Sequence, residues 1–164
     1  MKKFSSFTPL LLGCCFAFLT SCDDAAENPG DYSQKCTLEV TAISTKSGTA
    51  FDVVKVGETD SVLPYSGITA HIVTLDPIQL GSPADTVQIS LKSNARWMVP
   101  MPSNGGKAQW FFTQNLAGGG DGVVRAAVSR NRNKSRSVPA VQYIITSDST
   151  QWYKVTFRQS GERD

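Results

Sequence analysis

The chain has 164 residues, and its 16 Lys and Arg against 14 Asp and Glu give a formal net charge of +2. Such a near-neutral balance argues against a nucleic-acid partner, because proteins that bind nucleic acid through bulk charge are strongly basic. The length fits a single domain.

Residues 1–21 have the composition of a bacterial export signal. Lys2 and Lys3 precede an apolar run over 7–19, which is shorter than the roughly 20 residues that cross a bilayer as a helix. The run ends in Leu-Thr-Ser before Cys22, which resembles the lipobox of bacterial lipoproteins, in which a cysteine carries diacylglycerol. We therefore expect cleavage before Cys22 and a lipid anchor on its thiol, which is stable where more than one acyl chain is buried.

Residues 22–35 form the next segment, which is acidic and polar. Asp23, Asp24 and Glu27 follow the anchor, and an Asn-Pro-Gly sequence is typical of a turn. The composition predicts a flexible, solvated tether. It also resembles the acidic export tag of lipoproteins in the Bacteroidetes, so we expect an outer-membrane protein that is exposed at the cell surface.

Residues 36–161 carry the pattern of one β-sandwich domain. Apolar residues alternate or form short runs bounded by turn-forming residues, and no long window has helical periodicity. An all-β, antiparallel sandwich of about seven to nine strands is therefore predicted. The predicted strands lie near 37–45, 50–56, 70–75, 85–92, 95–100, 109–113, 122–129, 139–147 and 151–159.

Alternation within three strands predicts the core, because a shift of one residue would reverse every face. The predicted inward sets are Val87, Ile89 and Leu91, then Val141, Tyr143 and Ile145, and finally Tyr153, Val155 and Phe157. Cys36 is the one cysteine left after the signal and the anchor, so no intrachain disulfide is expected. We expect Cys36 to be half-buried at the start of the first strand.

No motif indicates catalysis, a cofactor or a metal. His71 is the sole histidine and has no cysteine or second histidine to complete a zinc site. Asp and Glu stand mostly in turn-like contexts, and no nucleophile motif is present. The glycine run at 118–122 precedes a strand, whereas a phosphate loop precedes a helix, so a flexible inter-strand loop is expected. The basic residues of 130–136 suit a solvated hairpin tip better than an anion site.

The C-terminal features occur in an order that is similar to a known family. A strand with a Ser-Asn turn at 86–94 is followed by Trp97, Trp110, the glycine run at 118–122 and a closing Gln-Ser-Gly at 159–161. Residues 78–161 thereby resemble the BACON domain, an Ig-like β-sandwich frequent in surface proteins of the Bacteroidetes. The resemblance implies a buried Trp97 and a protein associated with carbohydrate-active or mucin-directed systems, either as a glycan-binding module or as a spacer.

Aromatic residues are the sequence features that best suit a glycan site, since a sugar's C–H face stacks on an aromatic ring. Trp152 falls on the polar face of its predicted strand beside Lys154, and Trp110 belongs to a Trp-Phe-Phe run with aromatics on both faces. These three residues are the candidate glycan contacts. Packing of Trp152 against a neighbouring strand or loop is the alternative.

Three Asp-Ser/Thr sequences place candidate O-glycosylation sites at Ser61, Thr86 and Ser149, although Asp-Ser turns also explain them. The leading hypothesis is a non-catalytic, surface-exposed lipoprotein that binds glycans or mucin. The alternative is a structural or assembly protein, either a fimbrial accessory subunit or a partner in an outer-membrane complex. Genomic neighbourhood would separate the two.

Overall fold

The computed structural model describes residues 35–100 and 108–162. The export signal, Cys22 and residues 22–34 of the tether lie outside the described residues. No helix in the described part of the chain is long and apolar enough to cross a membrane.

The described residues form an all-β fold of two packed sheets, which confirms the predicted sandwich. Twelve strands occur in these residues, three more than the nine predicted, because strands at 50–51 and 55–62 replace the one predicted over 50–56 and short strands at 78–80 and 117–119 are added. They are β1 (Leu38–Thr45), β2 (Ala50–Phe51), β3 (Lys55–Val62), β4 (Thr69–Leu75), β5 (Ile78–Leu80), β6 (Asp85–Ser93), β7 (Arg96–Met98), β8 (Phe111–Thr113), β9 (Ala117–Gly119), β10 (Gly122–Val128), β11 (Ala140–Thr146) and β12 (Gln151–Gln159).

The sheets have five and seven strands. The five-stranded sheet has the order β2-β1-β6-β10-β8, and the seven-stranded sheet has the order β3-β4-β12-β11-β7-β9, with β5 also beside β12. The buried apolar side chains of both sheets form one core between them. Each sheet therefore has one face toward the core and one outward face.

The pairing of β12 differs from a purely antiparallel sandwich. β4 and then β5 run parallel to it, with His71 opposite Gln151 and Ile78 opposite Phe157. The register of β5 against β12 is shifted by one residue from the register of β4 against β12, and the shift occurs at Asp76-Pro77, between β4 and β5. Proline has no N–H to give to the ladder, so it divides one long parallel partner into two strands.

The inner faces of β6 and β12 are as predicted. Val87, Ile89 and Val155 are 0% exposed, and Leu91, Tyr153 and Phe157 are equally part of the core. Burial of each large side chain contributes about 1.5–3 kcal/mol.

The predicted inner face of β11 is wrong. Ala140, Gln142 and Ile144 face the core, whereas Val141 and Tyr143 lie on the outer face and are half-buried. The buried amide of Gln142 accepts a hydrogen bond from Thr113 Oγ1 at 2.5 Å, so a polar residue can occupy the inner position. Ile145 also faces outward by register, although it is only 7% exposed.

The glycine run at 118–122 is a packed part of the sheet rather than a flexible loop. Trp97 is 3% exposed, as predicted, and its indole N–H donates to Gly120 O at 3.0 Å. A Cβ at Gly118 would overlap the indole ring, and one at Gly122 would lie 2.9 Å from its Cζ2. These glycines therefore provide the space in which Trp97 packs.

The closing Gln-Ser-Gly sequence contacts two loops, the one between β5 and β6 and the one between β10 and β11. Gln159 is fully buried, and its amide donates to Ser129 O at 2.7 Å and Ser82 O at 3.3 Å. Its Oε1 accepts from Ser137 Oγ at 3.2 Å. Gly161 packs directly against the Lys134 carbonyl, where a Cβ would not fit.

Candidate functional site

Trp152 and Lys154 lie together on the outer face of β12, as the sequence predicts. Tyr153 and Val155 point into the core, so alternation directs Trp152 and Lys154 away from it. Both outward side chains are half-buried, as expected for an inner strand that pairs with a neighbour on each side.

Trp152 packs against Tyr143, which is on the neighbouring strand β11. The ring centroids are 5.9 Å apart and the ring planes meet at 74°, an edge-to-face arrangement. The indole N–H of Trp152 donates to Ser149 O at 2.8 Å. Two contacts therefore fix the orientation of the indole ring.

The turn that holds Trp152 is itself organised by Asp148. Its carboxylate accepts from Thr146 Oγ1 at 2.6 Å, from Thr150 N at 3.1 Å and from Thr150 Oγ1 at 2.9 Å. Burial acts to raise the pKa of Asp148, but these hydrogen bonds outweigh it and hold the pKa below its usual value. Ser149 can then adopt its positive φ of 63° and present its carbonyl to the indole.

The register of the strands defines the rest of this surface, which we call the outer face. It comprises Gly57, Thr59, Ser61, Ala70, Ile72, Thr74, Gln79, Arg96, Met98, Ala117, Gly119, Val141, Tyr143, Ile145, Trp152, Lys154, Thr156 and Arg158. Its charged residues are Lys154, Arg158 and Arg96, and none of its described residues is Asp or Glu. The outward side chains of the five-stranded sheet, by contrast, include Glu39 as well as Lys92 and Arg125.

Trp110 is not part of this surface. It immediately precedes β8 of the five-stranded sheet and packs against the core. Its indole N–H donates to Val138 O at 2.7 Å, and its ring meets Phe111 edge-on at 5.7 Å. The structure thus brings two of the three candidate glycan residues together and places the third, Trp110, elsewhere, beside the other sheet.

A separate groove of about 450 Å³ opens between the start of β1 and the strands β3, β4 and β12. His71 faces it, with Nδ1 2.8 Å from Asp60 Oδ1 and Nε2 3.8 Å from Glu58 Oε2. Lys55 Nζ is 3.4 Å from the same Glu58. Sequence reasoning missed this groove, because its residues come from five strands and from the segment before β1, and they share no local motif. No group of three or more His, Cys, Asp or Glu in the described residues is arranged to hold a metal ion.

Tyr153 closes the inner end of that groove. Burial raises the pKa of its phenol, even though Lys55 nearby and a hydrogen bond from the backbone of Val40 act in the opposite direction. Tyr153 and Glu58 together raise the pKa of Lys55. The groove is therefore lined by charges of both signs that already interact with one another.

Cys36 is half-buried just before β1, as predicted. Burial raises the pKa of its thiol, and a hydrogen bond to Asp148 raises it further. The thiol thus packs against the carboxylate that organises the Trp152 turn.

The candidate O-glycosylation residues occupy three different environments. Ser61 is exposed on β3, Thr86 is half-buried on β6, and Ser149 is half-buried in the β11–β12 turn. Asp85, which precedes Thr86, accepts from Ser47 Oγ at 2.5 Å and from Thr86 N at 2.6 Å. Burial acts to raise the pKa of Asp85, but these hydrogen bonds lower it below its usual value.

The basic residues of 130–136 are exposed, as predicted, but they do not form a hairpin tip, because β10 and β11 belong to different sheets. They belong to the loop between β10 and β11, in which Asn131 is 6% exposed and donates to Ser135 O and Ser160 O. Arg130 forms an ion pair with Glu162. The loop is therefore packed onto the end of the chain.

No family model and no curated protein matches the sequence. Among solved structures, a Bacteroides ovatus GH5 xyloglucanase in complex with a XXXG heptasaccharide is similar, with a TM-score of 0.43 and 16% identity. The similar region covers 52% of this chain and 17% of that chain. The aligned part is thus less than a fifth of the xyloglucanase.

Proposed function

We propose that the protein is a non-catalytic lipoprotein of the cell surface that binds glycans through the outer face of its seven-stranded sheet. One observation carries the proposal: the Trp152–Tyr143 pair, with Lys154 two residues along the same strand. Cys22 anchors the protein to the outer membrane in this proposal.

The physical basis is the pairing of aromatic and polar groups on a flat surface. A sugar ring presents an apolar C–H face, which stacks on an indole or phenol, and hydroxyls, which need hydrogen-bond partners. Because contacts with Tyr143 and Ser149 already fix the indole, little side-chain entropy is lost when a ligand stacks on it. Lys154 supplies N–H donors beside the rings.

The BACON resemblance is part of the same proposal. Residues 78–161 correspond to β5 through β12. Trp97 and Gln159 belong to the pattern that carries the resemblance, and the packing of the first and the hydrogen bonds of the second explain why those residue types stand there. In this view β1 extends the five-stranded sheet, and the β3–β4 hairpin extends the other.

A binding experiment on the mature chain tests the proposal. Wild type, Trp152→Ala and Phe112→Ala would be compared on a glycan array, and hits would be followed by calorimetry. Phe112 is the matched control, since it is 53% exposed and lies in the other sheet. We expect Trp152→Ala to lose binding at least tenfold and Phe112→Ala to retain it. Wild-type protein that binds no glycan, or variants that bind equally, would contradict the proposal.

An assembly protein is the second candidate, and the edge strand β3 favours it. All eight residues of β3 are exposed, and among residues 35–100 and 108–162 it pairs only with β4, so no described strand covers the backbone groups of its other edge. Such an edge can accept a strand from a partner. Thr59→Pro in β3 would then abolish a stoichiometric complex recovered after gentle membrane extraction. Recovery of a monomer from wild-type cells would contradict this candidate.

A further inference from the structure

We infer that the ligand of the outer face is an anionic glycan, a sugar chain that carries sulfate or carboxylate groups. The inference rests on the proposed function, since it assumes that this face binds a glycan, and it adds the chemical class of that glycan. The sugar ring would stack on Trp152 and Tyr143, and the acidic groups would be held by Lys154 and Arg158.

The distribution of charge carries the inference. The chain as a whole has nearly equal numbers of acidic and basic residues. The described residues of the outer face nevertheless include Lys154 and Arg158 on β12 and no carboxylate. Solvated surfaces usually intersperse both signs, whereas a face with one sign attracts the opposite charge.

The spacing along β12 suits an extended ligand. Trp152, Lys154, Thr156 and Arg158 occupy alternate positions of one strand, so their side chains leave the same face. At a rise of about 3.3 Å per residue, this row is roughly 20 Å long. The planar guanidinium of Arg158, which is exposed, can donate two parallel hydrogen bonds to a sulfate or a carboxylate.

An anionic lipid surface offers similar charge and is the competing occupant. Peripheral membrane surfaces insert protruding aromatic and apolar side chains between lipids. Trp152 and Tyr143 instead pack against each other and stay half-buried in the sheet, while Tyr65, which is fully exposed, lies in the turn between β3 and β4. Rings held in the surface of a sheet suit stacking on a sugar better than insertion into a bilayer.

The test uses the mature chain with Cys22→Ser, so that the lipid anchor does not contribute to binding. Its affinity is measured by calorimetry for dextran, dextran sulfate, unsulfated chondroitin, which supplies carboxylate alone, and chondroitin sulfate. Vesicles of phosphatidylglycerol form a further arm. Lys154→Gln and Arg158→Gln are compared with Arg125→Gln, which removes one exposed cation from the outward face of the other sheet.

We expect at least one acidic polysaccharide to bind and its neutral counterpart to bind at least tenfold more weakly. Lys154→Gln and Arg158→Gln should each weaken that binding about tenfold, and Arg125→Gln should leave it unchanged. Equal losses in all three variants, or binding to vesicles and not to polysaccharides, would overturn the inference.

The outcomes also separate this inference from the proposed function. Trp152-dependent binding of neutral glycans that is as tight as binding of acidic ones would overturn the anionic class and leave glycan binding intact. Wild-type protein that binds no glycan of any kind would overturn both.

Discussion

Gly118 and Trp97 share one site in the sheet, because the indole ring occupies the space that a side chain at Gly118 would need. The two residues are opposite each other on the paired strands β9 and β7. The ring is further fixed by its hydrogen bond to Gly120 O. A glycine run that reads as a loop in the sequence is therefore a requirement of core packing.

Gly118→Ala should destabilise the fold, because the added methyl group must displace a buried indole. Overpacking of this kind costs about 1–3 kcal/mol of unfolding free energy, to be measured by urea denaturation. Gly119→Ala is the matched control, since its Cβ would lie 3.6 Å from Arg96 Cγ, an ordinary contact. Equal stabilities of the two variants would contradict this prediction and show that the packing around Trp97 can adjust.

Gln159→Leu should destabilise the end of the sandwich at which the β5–β6 and β10–β11 loops meet. The substitution removes the donors to Ser82 O and Ser129 O, and each buried carbonyl left without a donor costs about 1–3 kcal/mol. Gln79→Leu is the control, because Gln79 is exposed and water can replace its hydrogen bonds. Denaturation that is unaffected by Gln159→Leu would contradict the structural role of this amide.

Asp148 should make stability depend on pH in the acid range. Its pKa is lower in the folded state than in the unfolded state, so the carboxylate favours folding at every pH above the unfolded value of about 4. This contribution is lost as the pH falls through the folded-state pKa. Asp148→Asn should therefore reduce stability at pH 7 and flatten its decline below pH 4, as followed by thermal unfolding. Asp76→Asn, at an exposed position, is the control, and identical pH profiles for wild type and Asp148→Asn would refute the prediction.

Cys36 should become more reactive when Asp148 is neutralised. Burial and Asp148 both raise the pKa of the thiol, and removal of the second effect increases the thiolate fraction at pH 8. In a Cys22→Ser background, Asp148→Asn should react faster with iodoacetamide than the parent. Asp85→Asn, which removes a hydrogen-bonded carboxylate at Ser47 and Thr86, should leave the rate unchanged. A rate for Asp148→Asn at or below that of the parent would count against the contact.

Ser61 should be the main site of O-glycosylation among the three candidates. It is exposed on an edge strand, whereas Thr86 and Ser149 are half-buried. Intact-mass measurement of protein made in a native-type host should show a glycan that Ser61→Ala removes and Thr86→Ala retains. A mass equal to that of polypeptide plus lipid would exclude modification altogether.

Alternation predicts those strands that bury one face and expose the other. The predicted strand over 151–159 coincides with β12, and that over 85–92 is one residue shorter than β6. Most of β3 was missed, since the predicted strand over 50–56 includes only its first two residues. All residues of β3 are exposed, so its pairing with β4 leaves no apolar pattern in the sequence. Backbone hydrogen bonds form a ladder whatever the side chains, whereas a periodicity argument detects only burial.

The candidate site was predicted only in part, because alternation detects a strand's outer face only where the inner residues are apolar. Alternation in β12 placed Trp152 and Lys154 outward, but in β11 the apolar residues Val141 and Tyr143 suggested the wrong inner face. The partner of Trp152 was therefore assigned to the core. The absence of carboxylates from the outer face depends on the register of several strands, and no single strand contains that information.

The parallel pairing of β12 with β4 and β5 has a consequence for the order in which the protein can fold. β12 lies between these strands and β11, so the middle of the seven-stranded sheet is supplied by a strand that is made after all its neighbours. Gln159 reaches Ser82 across 77 positions of sequence, and contacts of such separation form slowly. A chain in which β12 has not yet paired exposes the edges of β4 and β11 at the same time, which favours chaperone binding or aggregation until β12 is in place.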